Sequence, residues 1–121
     1  MKESELTVLK VEPGKAPEEI TIPNTLAAMQ QMVGGYIEVV YLEDACLVCN
    51  EEGKLVGLEG NRRVGNDIIA GTFFLVGDHG DGDFCSLTQE QMDRLTQQFA
   101  QPETFQPGEV EESIRFDFYS L

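Results

Sequence analysis

Hydrophobic and polar residues alternate or recur along the chain in patterns that predict short strands and two helices. Residues 6–11 place apolar side chains on both faces of an extended chain, which is typical of a strand covered on both faces. The Pro-Gly pair at 13–14 suits a type II turn, because proline presets one central residue and glycine accepts the positive φ of the other. Ile20 and Ile22 continue as a second strand with one apolar face. The opening pattern therefore predicts an antiparallel hairpin.

A short amphipathic helix is predicted after this hairpin. Asn24 or Thr25 can cap its start. Its apolar stripe, at the spacing of one helical face, consists of Leu26, Met29 and Val33. The double glycine at 34–35 supplies the left-handed residue that commonly closes a helix. A third strand should then run over residues 36–41.

The middle of the chain predicts further strands. Residues 46–49 and 55–56 flank a polar turn that contains Gly53, so we expect them to form a hairpin. Residues 57–66 are glycine-rich and polar, which indicates an irregular connection. Residues 68–76 are apolar and predict one buried strand with a bend at Gly71.

The second helix has the clearest signals. Thr88 and Gln91 have the spacing of a capping box, and Leu87 can staple against Met92. The apolar stripe consists of Met92, Leu95 and Phe99. From residue 101 onward the composition turns to Pro, Gly and Glu, as in a linker. Residues 114–118 then alternate as a strand that could return to the sheet, or form a homodimer by exchange with a second copy.

These elements predict a single α+β domain over residues 1–100, followed by an acidic linker and strand-like tail over residues 101–121. A chain of 121 residues suits one core. The predicted sheet is mainly antiparallel, with about five or six strands and two packed helices, in an order that begins ββαββ. A β-grasp-like arrangement is one candidate, because element order does not determine which strands are neighbours.

The charge balance changes the functional expectations. Acidic residues outnumber basic ones by 22 to 8, for a formal net charge of -14. Such a field repels phosphate backbones and anionic lipid and attracts basic proteins, although excess carboxylates also serve solubility alone. We therefore expect a protein partner, with a basic one favoured, and no direct binding to nucleic acid or membranes. The N-terminus lacks a signal-peptide core, so we expect a cytoplasmic location.

Several separate motifs resemble those of one known family. They are residues 11–41 and the strings CNEEGKLVGLEGNR, DIIAGTFFLVG and SLTQEQMDRLTQQF. Together they are similar to a family of small uncharacterised proteins, known only as a domain of unknown function, from Gram-positive gut bacteria, their phages and conjugative elements. The resemblance covers about residues 6–99 and implies a cytoplasmic accessory protein of mobile DNA. It implies no activity and no catalytic residue.

The possible metal ligands fall in two places. Cys46 and Cys49 form a CxxC that could join His79 and Cys85 in a zinc site. However, residues three apart in a strand point to opposite faces, so structural thiols are the favoured interpretation. The loop that holds Asp78, His79, Asp81 and Asp83 concentrates oxygen ligands suited to Ca²⁺ or Mg²⁺, but it lacks the EF-hand spacing, and acidic turns of this kind are common. We expect no metal and no cofactor.

Arg62 and Arg63 are the one adjacent basic pair and could present a fork to a phosphate or carboxylate. Ion pairs with the chain's own carboxylates are the alternative. Asn61 and Arg62 match a GLxxNR-like segment of the resembling family. The candidate binding residues are therefore Asn61, Arg62, Arg63, Asp78, His79, Asp81 and Asp83. One histidine and no nucleophile motif leave catalysis without sequence support, and no catalytic residue is assigned.

Three hypotheses of function remain. The leading one is a non-enzymatic binding or regulatory accessory protein of a mobile element that acts through protein contacts. An alternative is an acidic DNA mimic that inhibits a host restriction or defence enzyme, which requires rows of carboxylates at phosphate spacing. A second alternative is a small-ligand or metal-dependent enzyme that uses loops 57–66 and 77–84, which requires those loops to share a pocket.

Overall fold

An antiparallel sheet forms the middle of the molecule. The computed structural model describes residues 3–79, 83–106 and 108–112. In chain order the elements are β1 (Glu5–Val11), β2 (Glu18–Pro23), α1 (Leu26–Val33), β3 (Ile37–Tyr41), β4 (Cys46–Asn50), β5 (Gly60–Val64), β6 (Asp67–Ala70), β7 (Phe73–Asp78), β8 (Phe84–Cys85), α2 (Gln89–Gln98) and α3 (Glu109–Glu112).

The strand pairing confirms the predicted fold class. The main sheet has the order β2-β1-β7-β4-β3, and the short β8 pairs with the end of β7. Strands β5 and β6 form a separate hairpin, and every pairing is antiparallel. The chain is therefore an α+β domain with a mainly antiparallel sheet. The likeness to a β-grasp stays a prediction.

Both faces of the central strands are buried, because alternate residues of each strand enter different cores. In β1, Leu6 and Val8 pack into the core under α1, whereas Leu9 and Val11 pack into the core under α2. We call these the α1 face and the α2 face of the sheet. The α2 face is also covered by the β5–β6 hairpin, which contributes Ile69. The prediction of a strand covered on both faces is confirmed for β1.

The helix ends follow the sequence signals. The Thr25 hydroxyl accepts the Ala28 N–H at 3.1 Å, and Gly34 closes α1 at a φ of 83° with its N–H donated to the Gln30 carbonyl. In α2 the Thr88 hydroxyl and the Gln91 side chain each accept the other's backbone N–H, as a capping box does.

The predicted strand at residues 55–56 is wrong. These residues lie in a series of turns, in which the Val56 N–H is donated to the Glu52 carbonyl. Strand β4 already has β3 on one side and β7 on the other, so no edge of β4 is left for a hairpin partner. Leu55 and Val56 consequently remain 81% and 62% exposed.

Two further expectations need correction. Residues 57–66 do not form an irregular connection, since they contain β5, and residues 68–76 are two strands, β6 and β7, in different sheets. The break falls at Gly71, which has a φ of 84° and lies so close to Leu58 that an added Cβ would be 2.6 Å from its Cδ1. The strand predicted at 114–118 lies outside the described residues.

Candidate functional site

Asn61 and Arg62, predicted at a binding surface, lie in the interior. Asn61 is fully buried, and its amide donates to the carbonyls of Val11 at 2.8 Å and Gly71 at 2.9 Å. Its amide oxygen accepts from the Arg62 Nη1 at 2.8 Å. Asn61 therefore joins the end of β1 to the turn at Gly71 between β6 and β7.

Arg62 is 1% exposed, and its guanidinium binds backbone and amide oxygens rather than carboxylates. It donates to the Phe99 carbonyl at the end of α2 and to the Lys15 carbonyl in the β1–β2 turn. Burial lowers the pKa of Arg62 from its ordinary value, because the charged form loses hydration. This arginine holds three segments together and offers no fork to a ligand.

Arg63 lies beside Arg62 but points outward. It forms an ion pair with Glu109 at 2.7 Å, and its backbone N–H is donated to Glu103 at 3.2 Å. Phe105 and Val110 of the same C-terminal segment pack against Gly60, where an added Cβ would meet both side chains within 2.8 Å. For Arg63, the expected alternative to ligand binding, an ion pair with one of the chain's own carboxylates, is therefore present. A cavity of about 410 Å³ remains between this segment and the turn before β5.

The two loops of the enzyme hypothesis lie at opposite ends of β7. The first loop is anchored where Asn61 meets Gly71, just before β7, whereas Asp78 and the exposed His79 lie at its far end. Six residues of extended chain separate these points by roughly 20 Å. Asp83 lies near His79, whose N–H is donated to the Asp83 carbonyl, and Asp81 lies outside the described residues. The structure does not bring the arginines and the acidic loop together.

The cysteines show why the CxxC does not form a ligand pair. Cys46 packs on the α1 face and Cys49 on the α2 face, as their spacing in β4 requires. Burial, with a smaller contribution from Asp78, raises the pKa of the Cys46 thiol to about 11, which disfavours the thiolate that a metal needs. No group of three or more His, Cys, Asp or Glu side chains in the described parts of the chain could hold a metal ion.

Three carboxylates that a DNA mimic could display have partners within the chain. Asp44 accepts both of its 2.6 Å hydrogen bonds from Arg94, and Asp93 accepts from Gln89 at 2.8 Å. Asp78 accepts from the Cys46 thiol. These contacts reduce the number of carboxylates that could replace phosphates in a DNA channel.

A groove at one end of the sheet contains exposed apolar side chains. Its volume is about 290 Å³. It is lined by Gln30, Gly34, Gly35, Tyr36, Asn50, Glu52 and Val56. We call it the Tyr36 groove. Tyr36 and Val56 are 68% and 62% exposed, although both are large apolar side chains.

The walls of the Tyr36 groove follow from local sequence. Gly34 ends α1 in a left-handed conformation, and Gly35 passes so close to Asn50 that an added Cβ would be 2.9 Å from the amide nitrogen. The Asn50 amide donates to the Val33 carbonyl at 3.2 Å and accepts the Glu52 N–H at 2.7 Å. Asn50 therefore ties the end of α1 to the turn that carries Val56.

The groove lies beside acidic side chains. Glu51 and Glu52 are both exposed and follow directly on β4. Leu55, 81% exposed, precedes Val56 in the same turn. Apolar surface with carboxylates next to it suits a partner that carries both apolar and basic groups.

Sequence reasoning did not identify this groove. The sequence pattern predicts strands at residues 36 and 55–56, where apolar side chains are expected to be buried. One signal was available, since a pair of apolar residues between Lys54 and Gly57 is short for a strand and follows a polar turn. Short apolar pairs in polar turns are candidates for contact residues.

Comparison with known proteins identifies a family. A family model described as Domain of unknown function (DUF3846) matches residues 6–100, so the chain belongs to this family. No curated protein and no solved structure matches the chain. The C-terminal segment that packs against Gly60 and Arg63 follows the matched region. Among the described residues, no helix is long and apolar enough to cross a membrane.

Proposed function

We propose that this DUF3846 protein is a non-enzymatic binding protein that receives a basic protein partner at the Tyr36 groove. One observation carries the proposal: Tyr36 and Val56 expose large apolar side chains in one groove, beside the exposed carboxylates of Glu51 and Glu52. Exposed apolar residues that share a concave surface are typical of contact sites.

Energetics support a protein partner. An aromatic side chain such as Tyr36 can bury on the order of 150 Å² in an interface, worth about 4 kcal/mol at about 25 cal/mol per Å² before the costs of association. The net charge of -14 speeds the approach of a basic protein and repels nucleic acid. The resemblance described from the sequence supports a role as an accessory protein of a mobile element in the cytoplasm.

The two alternatives have less support. An enzyme built on loops 57–66 and 77–84 would need residues that lie roughly 20 Å apart along β7. Three acids available to a DNA mimic, Asp44, Asp78 and Asp93, have carboxylates that are bonded within the chain. Neither alternative accounts for the exposed side chains of the Tyr36 groove.

Affinity capture from the host with the tagged full-length chain tests the proposal. The double variant Tyr36→Ser, Val56→Ser should lose the partner, whereas Leu26→Ser should keep it, because Leu26 is similarly exposed, at 58%, but lies at the other end of α1. Capture should weaken as salt rises, since screening reduces attraction between exposed charges. Equal capture by wild type and the groove variant, or no partner at low or high salt, would show the proposal to be wrong.

A further inference from the structure

We infer that the partner binds as an added strand: an extended, positively charged segment pairs with the outer edge of β3 and ends in the Tyr36 groove. This inference rests on the proposed function and specifies the conformation and charge of the bound segment. It draws on the pairing of β3, the side chains at its two ends and the surrounding carboxylates.

Strand β3 is an edge of the main sheet, and within the described ranges no strand pairs with its outer side. The Leu42 N–H is donated to the Ala45 carbonyl and the Glu51 N–H to the Tyr36 carbonyl, so the even-numbered residues of β3 are the ones that exchange hydrogen bonds with β4. Bonded and non-bonded pairs alternate in antiparallel strands. The backbone groups of Ile37, Val39 and Tyr41 are therefore directed away from β4, toward the open edge.

The two edge strands of the main sheet, β2 and β3, differ in how well they could pair with an added strand. At the other edge, β2 ends in Pro23, which has no N–H to donate, and it carries no exposed aromatic residue. Strand β3 contains neither proline nor lysine, residues that commonly protect an edge. Its composition of β-branched and aromatic residues also favours strand pairing. The β3 edge, rather than the β2 edge, is therefore the one that can accept an added strand.

Exposed tyrosines mark both ends of this edge. Tyr36 precedes β3 and Tyr41 ends it, and they are 68% and 69% exposed. Five steps of extended chain place them roughly 17 Å apart, the span of a peptide of about five residues. Aromatic side chains at the two ends of a strand can pack on the side chains of an added strand. A segment that ran from Tyr41 to Tyr36 would end beside Tyr36, which lines the groove.

The charges near both ends of the β3 edge favour a basic segment as the added strand. Glu43 follows β3 and is exposed, Glu52 lines the groove and the exposed Glu51 directly precedes it, so carboxylates lie near each end of the edge. A lysine- or arginine-containing strand would be attracted, because its charges meet carboxylates at both termini. A second copy of this chain would bring another net charge of -14 to the same place, which opposes self-pairing. We therefore assign the edge to a basic partner.

Amide hydrogen exchange of the free full-length protein is the first test. The N–H groups of Ile37, Val39 and Tyr41 should exchange faster than those of Glu38 and Val40, which face β4. Protection of the outward amides in a monomer would mean that the chain itself covers the edge. Protection in a dimer, detected by analytical ultracentrifugation, would mean that a second copy covers it. Either result would overturn the inference.

Titration of the ¹⁵N-labelled protein with an alternating Lys-Val peptide of about nine residues is the second test. We expect shifts and new exchange protection at Ile37, Val39 and Tyr41, and no effect from an otherwise identical Glu-Val peptide or from a DNA oligonucleotide. Tyr41→Pro removes an outward donor that β4 does not use, whereas Tyr41→Ser keeps it. The proline variant should bind the peptide at least about fivefold more weakly than the serine variant.

The outcomes separate this inference from the proposed function. Shifts confined to Tyr36 and Val56, with equal affinities of the Tyr41→Pro and Tyr41→Ser variants, would refute strand addition and leave groove binding standing. Absence of any shift with the Lys-Val peptide would refute strand addition, and the proposed function would then be judged by affinity capture alone. Equal shifts with the Glu-Val peptide or with DNA would refute the assigned charge of the occupant.

Discussion

Replacing Arg62 with methionine tests the interpretation that this arginine is structural. Its guanidinium reaches four oxygen acceptors, the carbonyls of Phe99, Lys15 and Asn61 and the Asn61 side-chain oxygen, at distances of 2.6 to 3.4 Å. Methionine fills a similar space but donates no hydrogen bond. A buried acceptor left without a donor costs about 1–3 kcal/mol, and removal of a buried charge recovers part of this cost. We expect a net loss of about 3 kcal/mol.

Arg63→Met is the matched control, because it makes the same chemical change one residue away. The Arg63–Glu109 pair has side chains that are 44% and 36% exposed, and such pairs contribute about 0–1 kcal/mol. With a urea m-value of about 1.5 kcal/mol/M, Arg62→Met should lower the unfolding midpoint by about 2 M and Arg63→Met by less than about 0.7 M. Equal shifts in the two variants would refute the assignment of Arg62 to the core.

Three further changes test other contacts. Gly60→Ala should loosen the C-terminal segment, because the new methyl group meets Phe105. Cleavage of this segment by limited proteolysis should rise about fivefold, with little change in the melting temperature of the domain. Unchanged cleavage would contradict this packing. Hydrogen bonds from Ser86 lower the pKa of Glu3, so the stability they add is present above its ordinary value of 4.5 and is lost as pH falls further. The difference in melting temperature between wild type and Glu3→Gln should therefore shrink below that pH, and a constant difference would disprove the linkage. Burial raises the pKa of the Cys46 thiol to about 11, so iodoacetamide at pH 8 should label the peptide that contains Cys46 only in urea. Rapid labelling of this peptide in the folded protein would rule out a buried thiol.

Local signals in the sequence predicted the helix ends well. Thr25, Gly34 and the Thr88–Gln91 pair lie where their side-chain chemistry requires, because each acts on backbone groups within four residues. The spacing of Cys46 and Cys49 likewise indicated opposite faces of a strand. Such features depend on the chain near them and little on the rest of the fold.

Predictions failed where distant segments decided the outcome. The apolar residues Leu55 and Val56 suggested a strand, but both sides of β4 were already taken by β3 and β7. The sequence predicts a bend at Gly71. The separation of β6 and β7 into different sheets, however, depends on the contact of Gly71 with Leu58 and on the hydrogen bond from Asn61 to the Gly71 carbonyl. Strand adjacency is a property of the whole chain, so alternation within one segment does not reveal it.

The sequence by itself determined the fold class, the caps and a strongly acidic surface, since these follow from local periodicity, backbone chemistry and a count of charges. Only the tertiary structure decided which polar residues are available to a partner. Arg62 is buried because the carbonyls of Lys15 and Phe99 converge on it from separate elements. The exposed Tyr36 beside the open edge of β3 results from the position of β3 at the margin of the sheet, where no segment described by the structure covers it.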